Sequence, residues 1–151
     1  MKTSLALFLA IICALALAGL TYSVISVSRN ISSTGTINVV AGLGVYSDSA
    51  CQNNLTTINW GTLSPGASTT YTVYIKNIGS GTSLLLNMTT ASWNPTGANG
   101  PNGITWNQEG TILLPNQSVA TVLTLTISPT ITGISNFSVQ IDITGTQVEQ
   151  V

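Results

Sequence analysis

Histidine is absent from this chain, and charge is nearly so: three basic and four acidic residues are all it carries. Each shortage excludes a class of chemistry. Without histidine there is no Ser–His or Cys–His nucleophile pair and no imidazole ligand for a metal. The basic residues Lys2, Arg29 and Lys76 lie far apart, so no cluster is available to bind the phosphates of a nucleic acid. The acids Asp48, Glu109, Asp142 and Glu149 contain no close pair in sequence, although folding can still bring Asp48 and Glu109 together. Around Tyr46–Ser49 the stretch YSDS offers one carboxylate, too few for a calcium cage. No catalytic, cofactor-binding or metal-binding residue is assigned, and the expectation is that the protein is not an enzyme. Lys76, the one lysine beyond the N-terminus, has outward parity at a strand end and is a poor partner for an internal isopeptide bond. Charged residues make up 5% of the chain, against roughly 25% in ordinary domains. Copies of such a chain repel one another weakly, so close packing of subunits costs little electrostatically.

Cysteine is scarce too. Cys13 lies inside an apolar N-terminal run and cannot pair with Cys51 within one folded domain, so no disulfide framework is expected. Cys51 is expected to be a small buried hydrophobe.

The long apolar stretch that is present comes first. Lys2 precedes LALFLAIICALALAGL, Leu5 to Leu20, sixteen residues that would form about 24 Å of helix. Ala16-Leu17-Ala18 then offers a small-residue cleavage site before Gly19. Residues 1–18 read as a signal peptide cut between Ala18 and Gly19. Alternatively, residues 4–27 remain as a hydrophobic membrane anchor, since a span needs about 20 apolar residues. In both cases the rest of the chain lies outside the cytoplasm, secreted or at the cell surface.

Residues 19–33 form an apolar, Ser-rich strand or linker. Leu20, Tyr22 and Val24 alternate with polar residues; Ile25 and Val27 continue on the opposite parity. These five are candidate donor-strand residues, able to add to a neighbouring subunit's sheet; the other reading is the outer end of a membrane helix. From 34 to 146 the sequence breaks into short alternating runs, followed by a tail at 147–151. Phe137, Val139, Ile141 and Ile143 alternate with Ser138, Gln140, Asp142 and Thr144; Tyr71, Val73 and Ile75, then Leu84, Leu86 and Met88, and Leu123, Leu125 and Ile127 repeat the period of two. Beyond the N-terminal run helical periodicity is missing. An all-β antiparallel sandwich of about seven to nine strands is expected.

Pro65-Gly66 and Pro115-Asn116 fit the central positions of type II turns, and each is followed by Ser and a long strand, so GTLSPGAST and GTILLPNQS predict two equivalent units. Trp93–Gly103, WNPTGANGPNG, predicts a surface loop and the best candidate contact surface. Trp60, Trp93 and Trp106 adjoin strands and are expected to plug the core. Five Asn-x-Ser/Thr sequons occur, at Asn30, Asn54, Asn87, Asn116 and Asn136, all at turn, loop or outward-parity positions; at least two are expected to carry a glycan.

The segments GVYSDSAC, INWGTLSPGASTTYTVYIKNIG, SWNP and ISPTITGISNFSVQIDITGT together resemble a recurrent immunoglobulin-like domain of secreted and surface proteins in archaea, over about residues 34 to 146. In the order of its parts the chain is also similar to archaeal thread pilins and camelysin-type biofilm fibre subunits. That resemblance implies a self-associating filament or matrix subunit.

Overall fold

A computed structural model describes residues 31–39, 42–100 and 102–148. The hydrophobic helix expected at the N-terminus, with its cleavage or anchor positions, lies outside these residues. Among the described residues the fold is all-β, with one 3-10 turn at Thr96–Ala98 and no helix long and apolar enough to cross a membrane.

Among the described residues nine strands form two sheets. Strands β1 (Ile31–Val39), β3 (Thr57–Leu63), β5 (Ser83–Asn94), β7 (Ile112–Leu113) and β9 (Asn136–Val148) make one, in the order β3-β1-β9-β5-β7. Strands β2 (Leu43–Tyr46), β4 (Ser68–Asn77), β6 (Gly103–Trp106) and β8 (Ser118–Thr126) make the other, in the order β2-β4-β8-β6. Alternation explains why they form. Phe137, Val139, Ile141 and Ile143 on β9, Val73 and Ile75 on β4, and Leu123 and Leu125 on β8 all point inward and are buried. One cluster of apolar residues from both sheets is the core.

The sheets are not wholly antiparallel. β1 runs parallel to β9 from Ser32 opposite Asn136 to Val39 opposite Ile143, while pairing antiparallel with β3. The β-structure starts at Ile31, opposite Leu63 of β3, and ends at Val148, opposite Ser83 of β5.

The two proline turns are equivalent. Ala67 N–H donates to Ser64 O and Gln117 N–H to Leu114 O, both at 3.0 Å. Gly66 and Asn116 sit at φ 82° and 61°, the left-handed position a type II turn needs. Each turn carries the chain from one sheet to the other, β3 to β4 and β7 to β8, and β4 then pairs with β8 along its length.

Three local expectations are revised. Cys51 is a free thiol, only half-buried, at φ 53° in the turn after β2, where backbone geometry and not apolar burial sets its place. Trp93–Gly103 lies at the surface as expected, with residues 94–97, 99 and 100 exposed, but it is anchored: β5 continues through Asn94, Trp93 stacks on Phe137 at 5.5 Å, and Ala98 and Asn102 are buried. Asn102 donates to Ala98 O at 3.1 Å and accepts from Ser128 N–H at 3.2 Å, which pins the segment down. Trp60 and Trp93 are core residues, but Trp106 is half-buried, its indole N–H turned to Glu109.

Candidate functional site

β1 sets the geometry of the molecule. Its eight steps of about 3.3 Å carry the chain roughly 26 Å from one end of the sandwich to the other. At the first end Ile31 lies opposite Leu63, and β9 begins beside Ser32. The chain preceding Ile31 therefore joins the fold at this end. At the second end β4 finishes, β5 begins opposite the close of β9, and the β7–β8 turn lies alongside.

Asn77 holds the second end together. Its side-chain amide donates to Thr82 O at 2.9 Å and Leu113 O at 3.1 Å, and its Oδ1 accepts Gly79 N–H at 3.0 Å. The residue is buried, so these bonds replace water for backbone groups that turn away from either ladder. The Asn-x-Gly spacing in KNIGSG brings Gly79 N–H within reach of Asn77 Oδ1.

Beside it is a cleft of about 240 Å³ of mixed character, lined by Ile37, Leu43, Val45, Leu55 and Ile78 together with Tyr46, Asn54 and Thr56. Ile78 is 52% exposed at its rim. Ile112 and Leu114, the other two large apolar residues most exposed among the described ones, flank Leu113 at the same end. Sequence reading passed over all three, because an isolated Ile in a Gly-rich connection and a two-residue strand show no period. A second cleft of about 230 Å³ at the first end is polar, lined by Ser32, Thr34, Asn94, Asn136 and Ser138 with Phe137.

The carboxylates have separate tasks. Asp48 accepts Asn53 N–H at 2.7 Å and Gln52 N–H at 3.2 Å, closing the turn after β2. The Asn53 amide, reinforced by that of Gln52, holds the Asp48 carboxyl below its ordinary range, so the turn is tied by an ionised group at neutral pH. Glu109 gathers three donors: the Asn87 side-chain amide, Met88 N–H at 3.2 Å and the Trp106 indole at 2.6 Å. Asp142 accepts from Gln140 at 2.7 Å. Asp48 and Glu109 are thus engaged by different loops and do not act as a pair, and among the described residues no group of three or more His, Cys, Asp or Glu comes together.

Of the sequons, Asn54, Asn87, Asn116 and Asn136 are all exposed. Asn54 bridges to Tyr46 after β2, Asn116 is in the β7–β8 turn, and Asn136 opens β9. Asn87 differs, because its Nδ2 is already engaged with Glu109. Asn30, the Ala18–Gly19 cleavage site and the donor-strand residues Leu20, Tyr22, Val24, Ile25 and Val27 lie outside the described residues. No protein-family model matches the chain, and no characterised protein is detectably similar to it.

Proposed function

We propose that this is a non-enzymatic, extracytoplasmic structural protein, an immunoglobulin-like subunit that self-associates by lending residues 20–27 to another copy. One observation carries the reading. The segment preceding Ile31 runs into β1, and β1 is an interior strand, hydrogen-bonded to β3 on one side and β9 on the other. A strand held by two ladders is a firm root for an extension that must carry load between subunits. The alternating apolar residues of that extension are suited to strand addition, where main-chain bonds give affinity and alternate side chains give register. A head-to-tail contact of this kind does not close on itself and therefore builds fibres. No nucleic acid or cofactor enters this reading.

The test is the N-terminal sequence and intact mass of the protein from its native cell, with electron microscopy at high concentration. A start at or near Gly19, together with fibres, is the expected result. Monodisperse globules at high concentration would overturn it. A start at Met1 or Lys2 would instead support a tethered adhesion or binding module held in the membrane by residues 4–27, a reading favoured by the apolar length of Leu5 to Leu20.

Glycans fit an extracytoplasmic surface of low charge. At least two of the five sequons are expected to be occupied, with Asn54, Asn116 and Asn136 ahead of Asn87, whose amide would have to leave Glu109 or share it. Glycopeptide mapping that finds every sequon bare would refute this.

A further inference from the structure

A glycan on this sandwich needs a surface to rest on, and the cleft beside Asn77 offers one. We infer that the first sugar of an N-linked glycan on Asn54 seats in that cleft, against the ring of Tyr46 and the rim residue Ile78. The inference rests on the reading above that sequons of this chain are occupied.

Three observations select this occupant. The first is that the sequon itself lines the cleft. Asn54, Leu55 and Thr56 all border the space, together with Gly44, Tyr46 and Ile78 among others. Asn54 is exposed, so a sugar joined to its Nδ2 starts at the mouth of the cleft. Asn87 and Asn116 border neither of the two clefts. The polar cleft at the other end repeats the conjunction, with Asn136 and Ser138 of one sequon in its lining, but its ring, Phe137, is buried. Tyr46 is only half-buried, so of the two clefts the one at Asn54 has a ring to offer.

The second observation is how that ring is held. Tyr46 lies directly opposite Asn54 in an antiparallel bridge, which starts both side chains on the same side, with Cβ atoms about 4.5–5.5 Å apart. The Tyr46 ring lies down over Gly44: a Cβ at position 44 would be 2.5 Å from Tyr46 Oη and 2.6 Å from Cε2. The backbone of the sequon is fixed as well. Asn53 O accepts Ser47 N–H at 3.0 Å, Leu55 N–H donates to Val45 O at 2.8 Å, and Thr56 O accepts Ile37 N–H at 2.9 Å. A sugar on Asn54 therefore leaves a rigid stretch in a set direction, beside a ring that is already in place.

The third observation is the mixed lining. A pyranose has an apolar C–H face and a rim of hydroxyls. The Tyr46 ring, Leu55 and Ile78 suit the first, and the Thr56 hydroxyl and Tyr46 phenol suit the second. At about 240 Å³ the cleft is smaller than the roughly 300–1,000 Å³ of sites that capture free ligands. A tethered sugar has already lost its translational freedom, so a small seat is enough. Seating would also cover Ile78, which is 52% exposed. Attachment itself uses an activated glycosyl phosphate: the anomeric carbon bonds to Asn54 Nδ2, its bond to the phosphate oxygen breaks, and the phosphate and one amide proton leave.

The test combines glycopeptide mapping of the protein from its native cell with chemical denaturation of Asn54→Gln in three backgrounds, wild type, Tyr46→Phe and Tyr46→Leu. The same variants are made in a host without N-glycosylation. Asn54 is expected to be occupied. Asn54→Gln should lower the folding equilibrium constant about fivefold or more in the glycosylated wild type and in Tyr46→Phe, which keeps the ring. The loss should be under about twofold in Tyr46→Leu and in every unglycosylated protein. Equal losses with and without the Tyr46 ring, an equal loss in unglycosylated protein, or a bare Asn54 beside other occupied sequons would each overturn the seat and leave the glycan reading standing. Finding every sequon bare would remove the glycan reading, and this inference with it.

Discussion

Asn77→Leu is expected to destabilise the domain by about 3–5 kcal/mol. The residue is 1% exposed and its side chain makes three hydrogen bonds to backbone groups in two segments, Gly79 and Thr82 of the β4–β5 connection and Leu113 of β7. Leucine fills a similar volume, so packing is largely kept and the polar loss dominates. What remains are the carbonyls of Thr82 and Leu113 and the N–H of Gly79, wholly or partly shut off from water. Each stranded group costs on the order of 1–3 kcal/mol when buried. At roughly 4–8 °C per kcal/mol for a domain near this size, the melting temperature should fall by about 15–25 °C. Urea denaturation should show a lower midpoint with an unchanged slope, since the same surface is exposed on unfolding. Asn77→Asp is a useful companion. It keeps the acceptor for Gly79 N–H but turns a carboxylate toward the two carbonyls, so it should be no better tolerated than leucine. A loss below about 1 kcal/mol in both variants would mean that water replaces the side chain, and that the end of the sandwich bearing the cleft is looser than its hydrogen bonds imply.

The strands and turns were legible where one local rule was enough. β9 alternates without a fault from Phe137 to Ile143, and its inward residues are all buried. Pro65-Gly66 and Pro115-Asn116 sit in turns of the expected kind because the left-handed position tolerates Gly and Asn and little else. The parallel pairing of β1 with β9 was not legible, since nothing local records which of two strands about a hundred residues apart will lie side by side. β1 is itself a weak pattern: its inward positions are Ile31, Ser33, Gly35 and Ile37, and only two of those are apolar side chains of any size. Cys51 failed for a related reason. Its type suggests burial, but Asp48 closes the turn around it, and a turn places residues by backbone geometry. As for the site, exposure of the described sequons followed from outward parity at Asn87 and Asn136 and from turn or loop position at Asn116 and Asn54. The cleft did not, because its walls come from β1, β2, the segment before β3 and the end of β4, and no single stretch of sequence shows their convergence.

Ile141→Ala should cost about 3–4 kcal/mol by itself, and its effect should not add to that of Gly35→Ala. Ile141 is fully buried on β9, the central strand of its sheet, so truncation removes transfer energy and leaves a cavity. Gly35 faces it from β1. A Cβ at position 35 would sit 3.1 Å from Ile141 Cδ1 and 3.1 Å from Trp60 Nε1, closer than packed carbon atoms ordinarily approach. Glycine is there for room: it lets the Trp60 ring and the Ile141 side chain meet over the β1 backbone, and the indole N–H already lacks a hydrogen-bond partner in that space. Gly35→Ala alone should therefore destabilise by about 1–2 kcal/mol through overpacking. With Ile141 shortened to alanine, Cδ1 is gone and the added methyl enters the space it vacated. The double variant should then be less damaged than the sum of the singles by about 1 kcal/mol, a coupling that chemical denaturation of the four proteins can resolve. Additivity within about 0.4 kcal/mol would mean that β1 shifts away from β9 when position 35 gains a methyl. That outcome would bear on function as well as stability. β1 is the root of the proposed donor segment, so a β1 free to shift against β9 would be a poor anchor for a contact that must hold neighbouring copies in line.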